Sequence, residues 1–212
     1  MFSYQQAYSL HIKLFNTGKR FNREWIFRNL SYNFSAPNKY AITGSNGSGK
    51  STLLQVISGS VAHSEGNVQY STLDTQYPAE QHYQHISIAA PYLELIEEMT
   101  ANELLDFHTS FKPLILSKSE ALEKVGLEKA ANKQIRYYSS GMKQRLKLAQ
   151  AFFSNTPVLL LDEPTTNLDA EGIDLYQMLI QNYTSGKLVI ISSNDKQEYE
   201  FCDEVIRIGD YK

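Results

Sequence analysis

At 212 residues the chain is long enough for one well-buried core with a smaller unit attached. Its net charge of −3 supplies no basic field, which excludes bulk electrostatic binding of nucleic acid. The single cysteine, Cys202, excludes an intrachain disulfide and fits a reducing compartment, and no apolar run approaches the roughly 20 residues that a membrane helix requires.

The first eight residues have neither a basic stretch nor an apolar run, so no signal peptide is expected. Residues 9–15 alternate apolar and polar side chains (Leu10, Ile12, Leu14), the pattern of a half-buried strand. Residues 16–23 are polar, contain Gly18 and hold one isolated aromatic, Phe21, which predicts a turn or short loop. A second strand region is expected over 25–34, ended by Ala36-Pro37-Asn38, and a third over 40–43. A helix is expected over 51–57. Between strand and helix lies Gly44-Ser45-Asn46-Gly47-Ser48-Gly49-Lys50-Ser51-Thr52, with the G-x-x-x-x-G-K-[ST] spacing in the context that gives it meaning. Glycines let the backbone curl so that successive N–H groups form a nest for phosphate oxygens. The helix that starts there turns its free N–H groups and positive dipole end toward the same anion. Lys50 is placed to reach the β- and γ-phosphates, and the Ser51 hydroxyl to ligand Mg²⁺. The plain alternative is a Gly/Ser-rich surface loop, which the flanking strand and helix speak against. This loop is expected to bind a nucleoside triphosphate.

Further along, residues 59–67 read as a loop, 68–71 as an edge strand, and 86–89 as a short strand ended by Pro91. Thr100 with Glu103, and Ser117 with Glu120, have capping-box spacing, predicting helices over 100–109 and 117–125, the second stopped by Gly126. A third helix over 140–153 shows an apolar face (Leu146, Ala149, Phe153), so residues 92–137 form an inserted helical segment between strands. Strand 158–161, helix 170–183, strand 188–192 and strand 204–208 follow. Strands alternating with helices indicate an α/β fold whose parallel sheet is covered on both faces. The strand over 158–161 runs directly into Asp162 and Glu163, and ligands of open α/β sheets sit at such carboxyl ends. Asp162 can hold Mg²⁺, directly or through water, and Glu163 can polarise an attacking water. Alone, an acid pair is more often a solvated turn; with a phosphate loop upstream, the nucleotide reading is favoured. The five histidines show no metal-ligand spacing, and Tyr70, Tyr77, Tyr83 and Tyr92 read as packing or interface residues.

Tyr138-Ser139-Ser140-Gly141-Met142-Lys143-Gln144-Arg145 resembles the signature sequence of ATP-binding cassette (ABC) ATPases, and Thr165-Thr166-Asn167-Leu168-Asp169 resembles that family's D-loop. Phe21, 29 residues before Lys50, suits the family aromatic that stacks on adenine; its rival role is an aromatic lid on the core. The resemblance spans about residues 9–208. It implies a single ABC ATPase domain over 1–212: a P-loop NTPase with a RecA-like core, an N-terminal antiparallel β subdomain and an inserted helical subdomain at about 92–150. It also implies two cassettes paired head to tail, with Ser139, Ser140 and Gly141 of one closing over the γ-phosphate held by the other, and Asp169 among the nucleotide contacts.

Three departures stand out against that pattern. Ser140 replaces a glycine, Pro91 falls where a glutamine is expected, and Asn194 replaces the switch histidine. Asparagine can hydrogen-bond a phosphate but cannot take on charge near pH 7. The resemblance therefore implies intact Mg–ATP binding, catalytic roles for Glu163, Lys50 and Asn194, and slow hydrolysis. It further implies transmembrane permease subunits and a second cassette as partners, no nucleic acid, and a cytoplasmic place on the inner face of the membrane. The run from Ser140 to Arg145 is of an export-type flavour, so an exporter ATPase is the leading expectation. A cytosolic ABC ATPase outside transport and a weakly active regulatory subunit of a cassette heterodimer are the alternatives.

Overall fold

The computed structural model describes residues 10–72 and 75–212, so the expectations for the first eight residues and for Ser9 lie outside the described residues. Strands β1 (His11–Phe21) and β2 (Glu24–Ser35) form an antiparallel hairpin. The alternation in β1 holds, with Ile12 and Leu14 buried and Lys13 and Phe15 outward. The turn expected over 16–23 is corrected: the strand continues to Phe21, and only residues 22 and 23 turn. Register shifts between Leu14 and Arg20, with Asn16 at a φ of 45°, absorb the irregularity that hides the strand's period. Pairing resumes beyond them, and buried Thr17 donates its hydroxyl to the Asn67 carbonyl at 2.8 Å.

From the hairpin the chain enters a second sheet with β3 (Lys39–Thr43), and helix α1 (Lys50–Ser58) follows. Strands β4 (Glu65–Ser71) and β5 (Gln76–Tyr77) return to the first sheet, giving the order β2-β1-β4-β5. Strand β4 thus starts inside the stretch expected to be loop. Strand β6 (Ile86–Ala89) then begins the other half of the second sheet.

Helices α2 (Ala101–Thr109) and α3 (Lys118–Lys124) carry both expected capping boxes: Thr100 and Ser117 accept from the N–H groups of Glu103 and Glu120, whose carboxylates accept in return. Each cap is worth about 1 kcal/mol. Helix α4 (Ser140–Phe153) leads to β7 (Val158–Asp162), α5 (Ala170–Tyr183) to β8 (Leu188–Ser192), and the four-residue α6 (Lys196–Tyr199) to β9 (Glu204–Arg207). Helix α6 is too short to show a helical period in the sequence.

The second sheet has the order β6-β7-β8-β3-β9, and every pair in it is parallel. Every residue of β7 and β8 is buried, as expected for a sheet covered on both faces. Alternate side chains serve different cores. Leu159 and Leu161 pack with Leu146, Phe152 and Tyr176 on the helical side. Val158 and Leu160 pack with Leu53, Ile57 and Phe34 on the side of α1 and the first sheet. Each such leucine contributes roughly 1.5–3 kcal/mol on burial. Because the strands are parallel, the segments leaving β3, β7 and β8 emerge at one edge, and that edge carries the chemistry. No described helix is long and apolar enough to cross a membrane.

Candidate functional site

The segment leaving β3 wraps into the start of α1. Gly49 occupies the N-cap with a φ of 103°, in the left-handed region, and no side chain caps the helix. A Cβ at Gly49 would meet Ile26 Cγ2 at 2.3 Å, so glycine is required by both conformation and space. The contrast with the other α-helices is sharp: α2 to α6 are each capped by a side chain, from Thr100, Ser117, Ser139, Asp169 and Asp195. Among the described α-helices, α1 alone has no side-chain cap, so none of its first N–H groups is taken by one and all can turn to an outside anion. Lys50 is buried, and its ammonium donates to the carbonyls of Gly44 (2.8 Å) and Ser45 (3.3 Å), which holds the loop closed around its side chain.

A cleft of about 220 Å³ opens over this loop, lined by residues 46–52 together with Ile26 and Glu163. Glu163 arrives from the end of β7. It has a φ of 43°, rare for a residue with a side chain, and its N–H donates to the Ser192 carbonyl at 2.9 Å. The preceding residue, Asp162, is 1% exposed, and its Oδ1 finds no hydrogen-bond partner among the described residues; nor does Ser48 Oγ. A buried carboxylate oxygen left unpaired is costly. The donor set of Asp162 with the Ser51 hydroxyl matches the all-oxygen chemistry that Mg²⁺ prefers, so these residues fit such an ion. From the end of β8, Asn194 donates through Nδ2 to Asn46 Oδ1 at 2.7 Å. Phosphate loop, acidic strand end and Asn194 are thus brought to one edge of one sheet.

Residues 139–141 and 169 stand apart from that cleft. They line a second one of about 360 Å³, with Gly126, Arg145 and Asn167. Ser139 caps α4 by accepting from the Met142 N–H at 3.2 Å, and Ser140 beside it is exposed. Gly141 lies so close to the D-loop that an added Cβ would meet the Asn167 carbonyl at 3.1 Å. Asp169 caps α5 through the Gly172 N–H (2.9 Å) and pairs with Arg145 (3.3 Å). The Gly172 N–H, aided by Arg145, holds its carboxyl below the usual carboxylate range. Within one chain the phosphate loop and residues 139–141 therefore face separate openings.

Phe21 closes β1 at the hairpin tip, 48% exposed, with Lys19 Nζ 4.7 Å from its ring centroid. Phe21 is not among the aromatics packed against either core cluster. Ile26, not Phe21, borders the phosphate cleft. Pro91 is exposed just beyond β6, and Lys147 of α4 donates to the carbonyls of Ala90 (3.3 Å) and Pro91 (3.2 Å). Ile26 and Lys147 escaped the sequence reading because each earns its place through a contact with a distant segment.

A family model described as ABC transporter matches residues 27–166. An uncharacterised ABC transporter ATP-binding protein of Bacillus subtilis, YybJ, is 33% identical over 208 residues, covering 93% of this chain and 92% of its own length. The cytochrome c biogenesis ATP-binding export protein CcmA of Rhizobium etli is 32% identical over 207 residues, covering 94% and 95%. Among solved structures, a dimeric ATP-binding cassette in a post-hydrolysis state bound to ADP and Pi matches with a TM-score of 0.79 at 24% identity, over 92% of this chain and 93% of that one, a likeness of fold. With the phosphate loop, the acidic strand end and the signature helix each in place, the chain belongs to the ABC transporter family, as an ABC ATPase nucleotide-binding domain.

Proposed function

We propose that this chain is the ATP-hydrolysing subunit of a transporter, working from the cytoplasmic face of the membrane on separate permease subunits and in the direction of export. The observation that carries the hydrolytic part is the cleft in which Glu163 stands over the uncapped start of α1, beside a buried Asp162 with a partnerless oxygen. The relative CcmA is named for export, and the Ser140–Arg145 run has the same flavour. The transported molecule is set by the membrane partner.

In this reading Lys50 and the N–H groups of residues 47–52 take the β- and γ-phosphates, and Phe21 stacks on adenine. Asp162 and Ser51 hold Mg²⁺, which when bound offsets charge on the β- and γ-phosphate oxygens. Hydrolysis breaks the bond between the γ-phosphorus and the bridging oxygen. The water oxygen bonds phosphorus, and the Glu163 carboxylate takes the water proton. Asn194 hydrogen-bonds the γ-phosphate. A second cassette, turned head to tail, brings its own residues 139–141 and Asp169 to complete the site. ATP closes the pair and hydrolysis releases it.

Turnover is slow in this reading. One weakened hydrogen bond at the γ-phosphate costs about 2–3 kcal/mol, or ~30–160-fold in rate. The test is ATP turnover of wild type and Glu163→Gln, with light scattering of both. A much slower Glu163→Gln that doubles in mass with ATP is expected. Equal rates remove Glu163 from the proton step, and an unchanged mass removes the nucleotide-closed pair. Pro91 and Asn194 also favour a second reading, a weakly active cassette paired with a more active one. Turnover that appears only after mixing with such a partner identifies it.

A further inference from the structure

The hairpin that carries Phe21 is docked onto the chain leaving α1. Beyond Gly18, β1 is bordered by residues 62–65. The Ser64 N–H donates to the Gly18 carbonyl at 2.7 Å, and the Arg20 N–H donates to Ser64 Oγ at 3.1 Å. That segment folds back on α1 itself, since the Val61 N–H donates to the Gln55 carbonyl at 3.2 Å. Lys19 adds a side-chain tie, its ammonium donating to the Ala62 carbonyl at 2.8 Å. The same ammonium lies over the Phe21 ring, 4.7 Å from its centroid. The cation over this ring is thus fixed to the trailing end of the phosphate-loop helix.

Two rings stand at the hairpin tip, and their partners differ. Trp25 lies under the guanidinium groups of Arg20 and Arg28, at 5.5 and 4.5 Å, and Glu65 holds Arg28 at 2.7 Å. Phe21 has the Lys19 ammonium over it and is still about half exposed, so it keeps ring surface for a further stack.

We propose that Lys19 is a positioning residue for the nucleobase: anchored on Ala62, it holds Phe21 by one face and leaves the other as the platform for adenine. A phenyl ring at a hairpin tip has staggered rotamers to choose between. A fixed cation over one face favours the rotamer that keeps the ring there, so less of the stacking energy is lost to ordering it. Because Ala62 follows α1, the base platform stays in step with the phosphate loop at that helix's start. The inference rests on the reading of Phe21 as the adenine-stacking residue.

Calorimetry on the full chain compares ATP with tripolyphosphate, which has the phosphates but no base, for wild type, Lys19→Met, Lys19→Arg and Phe21→Ala. Lys19→Met keeps the apolar stem and loses the cation. It is expected to weaken ATP binding by about twofold to fivefold and to leave tripolyphosphate binding unchanged. Lys19→Arg keeps a cation that can lie over a ring, and is expected to bind ATP as wild type does. If Lys19→Met binds ATP undiminished, the proposal is overturned. An equal loss for both ligands also overturns it, because that marks a general attraction between the lysine and the phosphates. Phe21→Ala separates the two levels, with an expected loss of about tenfold for ATP and none for tripolyphosphate. If Phe21→Ala binds both ligands as wild type does, the adenine reading itself fails; if it weakens ATP alone while Lys19→Met does not, only the role of Lys19 fails.

Discussion

Gln144 joins the signature helix to the acidic strand end: its Nε2 donates to the Pro164 carbonyl at 2.7 Å, from a side chain that is fully enclosed. Pro164 directly follows Glu163, so a shift of α4 is transmitted to the carboxylate that faces the phosphate cleft. Replacing Gln144 by leucine strands a buried carbonyl, at a cost of about 1–3 kcal/mol. Gln144→Leu is therefore expected to lower the unfolding free energy, read from denaturant titration, by that amount and to reduce turnover more than nucleotide affinity. Equal losses in rate and affinity would reduce the contact to simple packing.

Asn194 offers the switch position a carboxamide already held by Asn46. Neither side chain titrates, so the wild-type rate is expected to be flat around pH 6–7 apart from effects elsewhere. Asn194→His introduces a group with a usual pKa of about 6.5 at the position proposed to meet the γ-phosphate. Turnover is expected to rise by about tenfold to 100-fold, with a new pH dependence near that value. A pH–rate profile of both proteins is the check. A variant no faster than wild type, with the same flat profile, places residue 194 away from the reacting phosphate.

What could be read in the sequence were features whose causes are local. The phosphate loop declares itself through glycine spacing, and the capping boxes at Thr100 and Ser117 through a side chain that bonds a backbone three residues on. The buried parallel strands show as unbroken apolar runs. Residues 16–23 misled because register shifts and Asn16 break the alternation while cross-strand bonds keep the strand intact. Ile26 lies on β2, one strand and a loop before Gly49, and nothing in the primary order marks it; its place against Gly49 exists only once the two sheets pack. In the sequence Gln144 stands only as a member of the signature run and Lys147 as an ordinary polar position on a helix; the fold shows them turned inward onto Pro164, Ala90 and Pro91.

The far end of the signature helix has its own anchor. Lys187, 9% exposed ahead of β8, donates to the carbonyls of Phe152 (3.1 Å) and Ser154 (2.9 Å), where a cation complements the helix dipole. Burial pushes its pKa down from 10.5 to about 8. Between those values the unfolded lysine carries a proton that the folded one has released, so the stability from this site rises with pH across the window. At about 1.4 kcal/mol per pKa unit, wild type is expected to gain ~1–2 kcal/mol over Lys187→Met between pH 7.5 and 9.5. Chemical denaturation at the two pH values measures it. A constant difference would mean that the two carbonyls keep the ammonium charged despite its burial.

Gly49 faces two separate demands, and they can be separated experimentally. Its φ of 103° strains any residue with a Cβ, and that Cβ would sit 2.3 Å from Ile26 Cγ2. A non-glycine residue in the left-handed region costs on the order of 1–3 kcal/mol, and the overlap adds to it unless Ile26 withdraws. Gly49→Ala is therefore expected to destabilise the protein by more than that conformational term and to weaken ATP binding, since the uncapped N–H groups of α1 shift with the loop. Adding Ile26→Ala removes the overlap but not the strain. In a double-mutant cycle the pair should be less destabilised than the sum of the singles by about 1 kcal/mol or more. Additive losses would show that Ile26 yields freely and that the backbone conformation alone fixes glycine at this position.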